Sequence, residues 1–189
     1  MTAFPKLGPG DLDDEQQALW DYVAGGQRRS MMKDQPSVLP GPYNAWLQIP
    51  SFGQIAARMG ERLRFESLLD GRSRELAILT VGAHWKAEFE FWAHARVARA
   101  EGLPEAIIEA LRTGAPPPYE TDTQRLVHAV ARDLLRTGGI GDDLNQAATA
   151  ALGHPRLTEL VALVGFYCLV SFTLNASGTS LPEGEAPIW

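Results

Sequence analysis

The sequence predicts an all-α protein, and three observations lead there. No stretch alternates apolar and polar residues as a half-buried strand does. Apolar residues recur instead at three- and four-residue spacings in several segments. Capping residues, glycines and prolines separate those segments at intervals suited to helices. No internal repeat at solenoid periods is visible.

The elements follow in order. Residues 1–10, with two prolines and two glycines, predict an arm. Asp11 is the expected cap of a first helix carrying Leu12, Gln16, Leu19 and Val23, with Gly25-Gly26 at its end. Residues 27–42 read as loop and hold the basic cluster Arg28, Arg29 and Lys33, a solvated or subunit-contacting group with anion binding as the alternative. A short helix is expected from Gly41 to Trp46, stopped by Pro50. Ser51 is the expected cap of the next, with Phe52, Ile55, Ala56, Met59 and Leu63 on one face. After the Asp70-Gly71 turn, Ser73 opens an apolar helix. Pro104 starts a helix to about Thr113, and Pro116-Pro117-Pro118 is a rigid connector. Thr121 or Thr123 opens a helix ending at Gly138-Gly139. Asp142 or Asp143 opens another ending at Gly153, and Pro155 opens the last, to about Ala176.

Composition bounds the function classes. A chain of 189 residues with 45% hydrophobic and 21% charged residues suits one globular domain with an ample core. A net charge of -6 argues against nucleic-acid and anionic-membrane partners. The single cysteine, Cys168, excludes an internal disulfide and fits a reducing cytosol. The N-terminal residues are acidic and lack an apolar core segment, so no secretory signal is expected. The apolar run 160–174 is shorter than a membrane span needs and reads as a buried helix holding Cys168 as a structural thiol. There is no phosphate loop, because acids follow Gly138-Gly139-Ile140-Gly141 where a lysine is needed. There is also no hydrolase elbow.

The chemistry concentrates between Arg72 and Leu103. Glu90 and His94 stand four residues apart, one helical turn, on one face. A carboxylate beside an imidazole can fix its tautomer and raise its basicity, which makes a proton-transfer pair. Glu75 lies fifteen residues before Glu90. No glycine or proline interrupts residues 83–101, so periodicity permits one helix over 73–100. Such a helix would hold Glu75 and Glu90 about 22 Å apart. His84, Glu90 and His94 are a possible set of ligands for zinc or iron(II), since imidazole and carboxylate suit either, although their spacing matches no common ligand signature. His128 and His154 read as structural or surface groups. Trp20, Trp46, Trp85, Trp92 and Trp189 are core or interface residues by default, with Trp46 and Trp92 as candidate walls of a substrate pocket.

The stretch Glu90-Phe91-Trp92-Ala93-His94 resembles the decarboxylase branch of the carboxymuconolactone decarboxylase and alkyl hydroperoxidase D family. Arg74-Glu75-Leu76-Ala77 and the segment from Arg96 to Gly102-Leu103 resemble the family as a whole. The redox branch carries Cys-x-x-Cys-x-x-x-His with a glutamate twelve residues before the first cysteine. Here Ala87 and Glu90 stand at the cysteine positions, and Glu75 is twelve residues before Ala87. With neither cysteine present, dithiol peroxidase chemistry is not available.

The resemblance spans residues 38–178. It implies an arm and first helix over 1–37, a helical domain of that family over 38–178 and a tail over 179–189. It implies an alkyl hydroperoxidase D-like fold with a bend near His84–Lys86, giving an antiparallel helix hairpin that brings Glu75 opposite His94. It further implies homo-oligomers, trimers or hexamers, and the expected interface includes the last helix or the N-terminal arm. The function implied is a cofactor-independent carboxy-lyase of the cytoplasm, acting on a small organic acid or lactone through an enolate. In that scheme His94 donates the proton, Glu90 orients the ring or shares its proton, and Glu75 is the buried second carboxylate. The same residues would serve an isomerase or lactone hydrolase. Open alternatives are a non-catalytic helical oligomer, a metal-dependent enzyme, and a peroxidase-like enzyme using Cys168. About 40 extra residues precede the family core, so the family's usual substrate does not transfer automatically.

Overall fold

A computed structural model describes residues 4–26 and 36–189. Every regular element among the described residues is a helix. The order is α1 (Asp14–Gly25), α2 (Tyr43–Trp46), α3 (Pro50–Phe65), α4 (Gly71–His84), α5 (Glu88–Ala100), α6 (Glu105–Thr113), α7 (Asp122–Thr137) and α8 (Asp142–Ser177). The basic cluster Arg28, Arg29 and Lys33 lies outside the described residues. Residues 1–66 with 173–179 form one compact unit, and 67–172 with 180–189 form a second. The boundary at 66/67 falls inside the segment expected to be one helical domain.

In the first unit, Asp13 rather than Asp11 caps α1: its carboxylate accepts from the Gln16 N–H at 2.8 Å while the Gln16 side-chain oxygen accepts from the Asp13 N–H, a reciprocal box. Asp11 instead accepts from the Gly8 N–H, closing the turn before the helix. Pro50 opens α3 rather than stopping α2, and Ser51 does not cap it. Proline is favoured at N1 because its missing N–H has no helical partner there. Gly53 lets α1, α2 and α3 meet: a Cβ there would stand 2.5 Å from Leu19 Cδ2 and 2.9 Å from the Trp46 carbonyl oxygen. The buried positions of α3 are Gly53, Ala56, Ala57, Gly60 and Leu63. Phe52, Ile55 and Met59, expected on the buried face, are exposed; small residues were the ones needed for close helix approach.

The second unit is built around α4, which packs against α5, α6 and α7. Asp70 caps it, accepting from the Ser73 backbone N–H at 2.9 Å and the Ser73 hydroxyl at 2.7 Å, so the helix begins two residues before the expected Ser73. From Ser73 to Gly82 every residue except Arg74 is buried. A helix apolar all round belongs in a core. Each of Leu76, Ile78, Leu79 and Val81 contributes about 1.5–3 kcal/mol by leaving water. Gly114 and Gly138 close α6 and α7 in the left-handed region, the expected use of glycine at a helix end.

The helix break that the site requires is present. Lys86 has φ 47, the one described non-glycine residue at positive φ. The Ala87 N–H donates to the Gly82 carbonyl at 2.9 Å and the Lys86 N–H to the Ala83 carbonyl at 3.3 Å. That pair of bonds is a Schellman closure, with lysine where glycine usually stands. Local sequence does not announce it for that reason.

Helix α8 is broken at Gly153, φ 75 and ψ 159, just before Pro155, into arms 142–152 and 154–177. The element contains a window of mean hydropathy 1.9 that meets the length and composition of a membrane span, beyond the shorter run read from sequence; 56% of that window is packed inside the protein. Leu157, Leu160, Leu163, Val164, Phe166, Tyr167 and Val170 supply its buried face. In the tail, the Trp189 indole donates to the Arg112 carbonyl at 2.8 Å and its ring meets Phe91 edge-on.

Candidate functional site

The hairpin α4–α5 carries three ionisable side chains into the core of the second unit. Glu75 is in the second turn of α4. Glu90 and His94 are one turn apart on α5. All three are buried, Glu75 completely. His94 Nδ1 lies 2.6 Å from Glu75 Oε2, a short charge-assisted hydrogen bond. His94 Nε2 lies 3.0 Å from Glu90 Oε1. This second contact brings charges together without the alignment of a hydrogen bond, and Glu90 Oε1 has no hydrogen-bond partner among the described residues. Glu75, not Glu90, therefore orients the ring: an i,i+4 side chain reaches Nε2 obliquely, whereas α4 faces Nδ1 across the hairpin.

Arg74 completes the electrostatics. Its Nε donates to Glu75 Oε1 at 3.1 Å and its Nη2 to Glu101 Oε1 at 3.1 Å. Glu75 is thus held between a guanidinium and an imidazole. Burial pulls the His94 pKa down, but the negative charges of Glu75 and then Glu90, with the hydrogen bond from Glu75, reverse this and raise it to about 9. The ring is an imidazolium at neutral pH. Tyr167 of α8 packs edge-on against it, centroids 5.0 Å apart.

The arrangement brings Glu75, Glu90 and His94 together as the hairpin reading requires. It does not bring Trp92 to them. Two residues along a helix is a rotation of about 200°, so Trp92 leaves the Glu90–His94 face. Its ring meets Phe89 at 5.5 Å, with the Arg96 guanidinium 5.0 Å above it. Trp46 belongs to the first unit, buried edge-on against Tyr43 and Phe52, with its indole N–H on the Thr173 hydroxyl at 3.4 Å. His84, the third member of the possible metal set, is the last residue of α4, exposed and edge-on to Trp85. The two carboxylates address opposite nitrogens of one ring, so their donors do not converge on a point. Among the described residues no group of three or more His, Cys, Asp or Glu side chains is arranged to hold a metal ion.

Cys168 is half-buried rather than a core thiol, and the Trp85 indole N–H donates to its sulfur at 3.3 Å. Burial pushes its pKa up, with the Trp85 hydrogen bond opposing. That is the reverse of what a reactive thiolate needs. His128, on α7, is buried with Nδ1 on the Tyr119 hydroxyl. His154 is exposed.

Sequence spacing did not reveal Arg74 or Tyr167 as members of the site. Arg74 stood only as a motif residue, and nothing local to α8 marks Tyr167 as a neighbour of His94. No protein-family model matches this sequence. No curated protein matches it either.

Proposed function

We propose that the protein is a cofactor-independent acid–base enzyme resembling the carboxymuconolactone decarboxylases, with a small organic acid or lactone as substrate. The observation that supports this reading best is a buried histidine flanked by two carboxylates and raised to about 9. An imidazolium whose Nε2–H is not committed to an aligned partner can give that proton to carbon or oxygen. Decarboxylation or proton loss beside a carbonyl leaves an enolate, whose oxygen charge needs a nearby cation and whose carbon needs a proton. The His94 imidazolium supplies the positive charge, and its Nε2–H supplies the proton. Glu75 fixes the ring through Nδ1 and balances its charge, and Arg74 keeps Glu75 in place. Glu90, beside Nε2, is placed to take a proton from the substrate or from the ring. The alkyl hydroperoxidase D-like fold and a homo-oligomer, trimer or hexamer, belong to the same reading. The exposed Phe52, Ile55 and Met59 of α3 and Val161 and Phe172 of α8 suit subunit contacts.

A second reading is favoured by the burial itself: the triad as a structural ion network in a helical oligomer without turnover. The deciding experiment incubates the protein with a panel of small β-keto acids and lactones and follows product. Turnover by the wild type that falls roughly 10²–10⁴-fold in His94→Gln is the expected result. No turnover of any member, or equal turnover by the variant, overturns the proposal.

A further inference from the structure

Two buried polar atoms of the second unit have no hydrogen-bond partner among the described residues: Oγ of Ser171, and Oε1 of Glu90, which meets the His94 imidazolium at 3.0 Å without the alignment of a hydrogen bond. Ser171 is fully buried and Glu90 is 4% exposed. Native proteins rarely leave such atoms unpaired, because each gave up water to enter the core.

Ring contacts set the two atoms at one level. Tyr167 lies against His94, and Phe172 against Trp85, at 5.0 and 4.7 Å between centroids. Moving forward along α8 therefore means moving backward toward the bend before α5, so the two helices run antiparallel there. Ser171 follows Tyr167 by one turn, and Glu90 precedes His94 by one turn. Each step stays on its own helix face. The two ring contacts therefore put Ser171 at the level of Glu90 along the paired helices, and the two atoms do not bond each other.

From this juxtaposition we infer that Ser171 is a substrate-binding residue and that, with Glu90, it recognises a carbonyl oxygen flanked by a hydroxyl or N–H. The inference rests on the acid–base reading of the triad for its place in a reaction, but not for binding. The carboxylate Oε1 can only accept, so the ligand must bring a donor. The serine hydroxyl supplies the donor that a carbonyl or enolate oxygen needs. A 2-hydroxycarbonyl compound, an undissociated carboxylic acid, an amide and a hydroxamate all carry that pair. A ligand carboxylate directed at Glu90 is disfavoured by like charge. Ser171 would then hold the oxygen on which negative charge gathers, while His94 Nε2 faces the reacting carbon.

The test uses acetohydroxamate as probe with the full chain, measuring its dissociation constant by titration and the melting temperature of the unliganded protein. Ser171→Ala removes only an unpaired hydroxyl. It should weaken acetohydroxamate about tenfold or more and leave the melting temperature equal or a few degrees higher. His94 should titrate as in the wild type, showing the triad intact. Absence of saturable binding by the wild type overturns the inference. So does equal affinity in Ser171→Ala, or a lowered melting temperature, the mark of a structural serine. Ser171-dependent binding without turnover of any acid or lactone sustains this inference and removes the acid–base reading. Turnover with kcat and KM unchanged in Ser171→Ala does the opposite.

Discussion

His94 and His128 are buried to nearly the same degree, 5% and 6% exposed, yet their environments drive them in opposite directions. His94 sits between two carboxylates and is raised to about 9. His128 is lowered to about 4, first by burial and then by the nearby Arg132. Its Nδ1 faces the Tyr119 hydroxyl, which has its own pKa raised by burial against the pull of Arg132 and Arg125. That pair is neutral on both sides, and one hydrogen bond joins the Tyr119 hydroxyl to Nδ1. Burial alone always opposes a charged imidazole. What separates the two sites is the sign of the nearest charge. One histidine is a stored proton, and the other is a core residue with a polar edge.

The largest expected effect comes from removing the cation. His94→Gln leaves Glu75 and Glu90 facing each other in the core and should cost about 3–5 kcal/mol at pH 7, the usual price of orphaning one side of a buried ion pair. His128→Gln deletes a neutral group and should cost about 1–3 kcal/mol, chiefly from the Tyr119 hydroxyl and lost packing. Urea unfolding of both variants checks this, and an equal cost would erase the contrast.

The next effect is on the pH dependence of stability. The native His94 pKa lies above the unfolded value near 6.5, so the native state binds more protons between them. Its contribution, about 3 kcal/mol, is complete below pH 6.5 and is lost as pH rises through about 9. His128 has the opposite sign. Its native pKa is depressed, so its contribution is present above pH 6.5 and is lost as pH falls through about 4. Tyr119 is only half-buried, and solvent on its side of the pair reduces this to about 2 kcal/mol. Wild-type stability should therefore decline on both sides of pH 6.5. His94→Gln should flatten the alkaline limb alone and His128→Gln the histidine part of the acid limb.

Arg74→Met sharpens the account of Glu75. It removes a cation from beside Glu75, which should raise the His94 pKa further and move the alkaline limb to higher pH, with a loss of about 1–3 kcal/mol at pH 7. An alkaline limb that stays in place or shifts downward would show that Arg74 does not act on the site. Lys86→Gly carries the smallest effect. Glycine suits φ 47 without a Cβ penalty, so the variant should be more stable by about 0.5–1 kcal/mol. A loss of stability would mean that the hairpin is not closed as described.

These sites also show what a sequence can and cannot disclose. The all-helical character was legible, because helical spacing, Thr121 and Pro104 at helix starts, and Gly114 and Gly138 at helix ends agree with one another. The Glu90–His94 pair was legible from spacing within one helix. Glu75 joins it only through a closure at Lys86, where the expected glycine is missing. The exposed face of α3 misled because Phe52, Ile55 and Met59 keep helical register as well as a core face does; the real contact needs Gly53, Ala57 and Gly60. Trp92 leaves the Glu90–His94 face on elementary helix geometry, two residues being about half a turn. Tyr167 lies more than seventy residues beyond His94, and no local pattern links such partners. The charge that sets His94 apart from His128 is likewise tertiary.

The most direct test is to follow the histidine ring nitrogens by ¹⁵N NMR across pH, with His94→Gln and His128→Gln assigning the signals. The account predicts that His94 carries protons on both nitrogens at pH 7 and titrates near 9, while His128 is neutral there and titrates near 4. A His94 that is neutral at pH 7, titrating at or below 6.5, would contradict it.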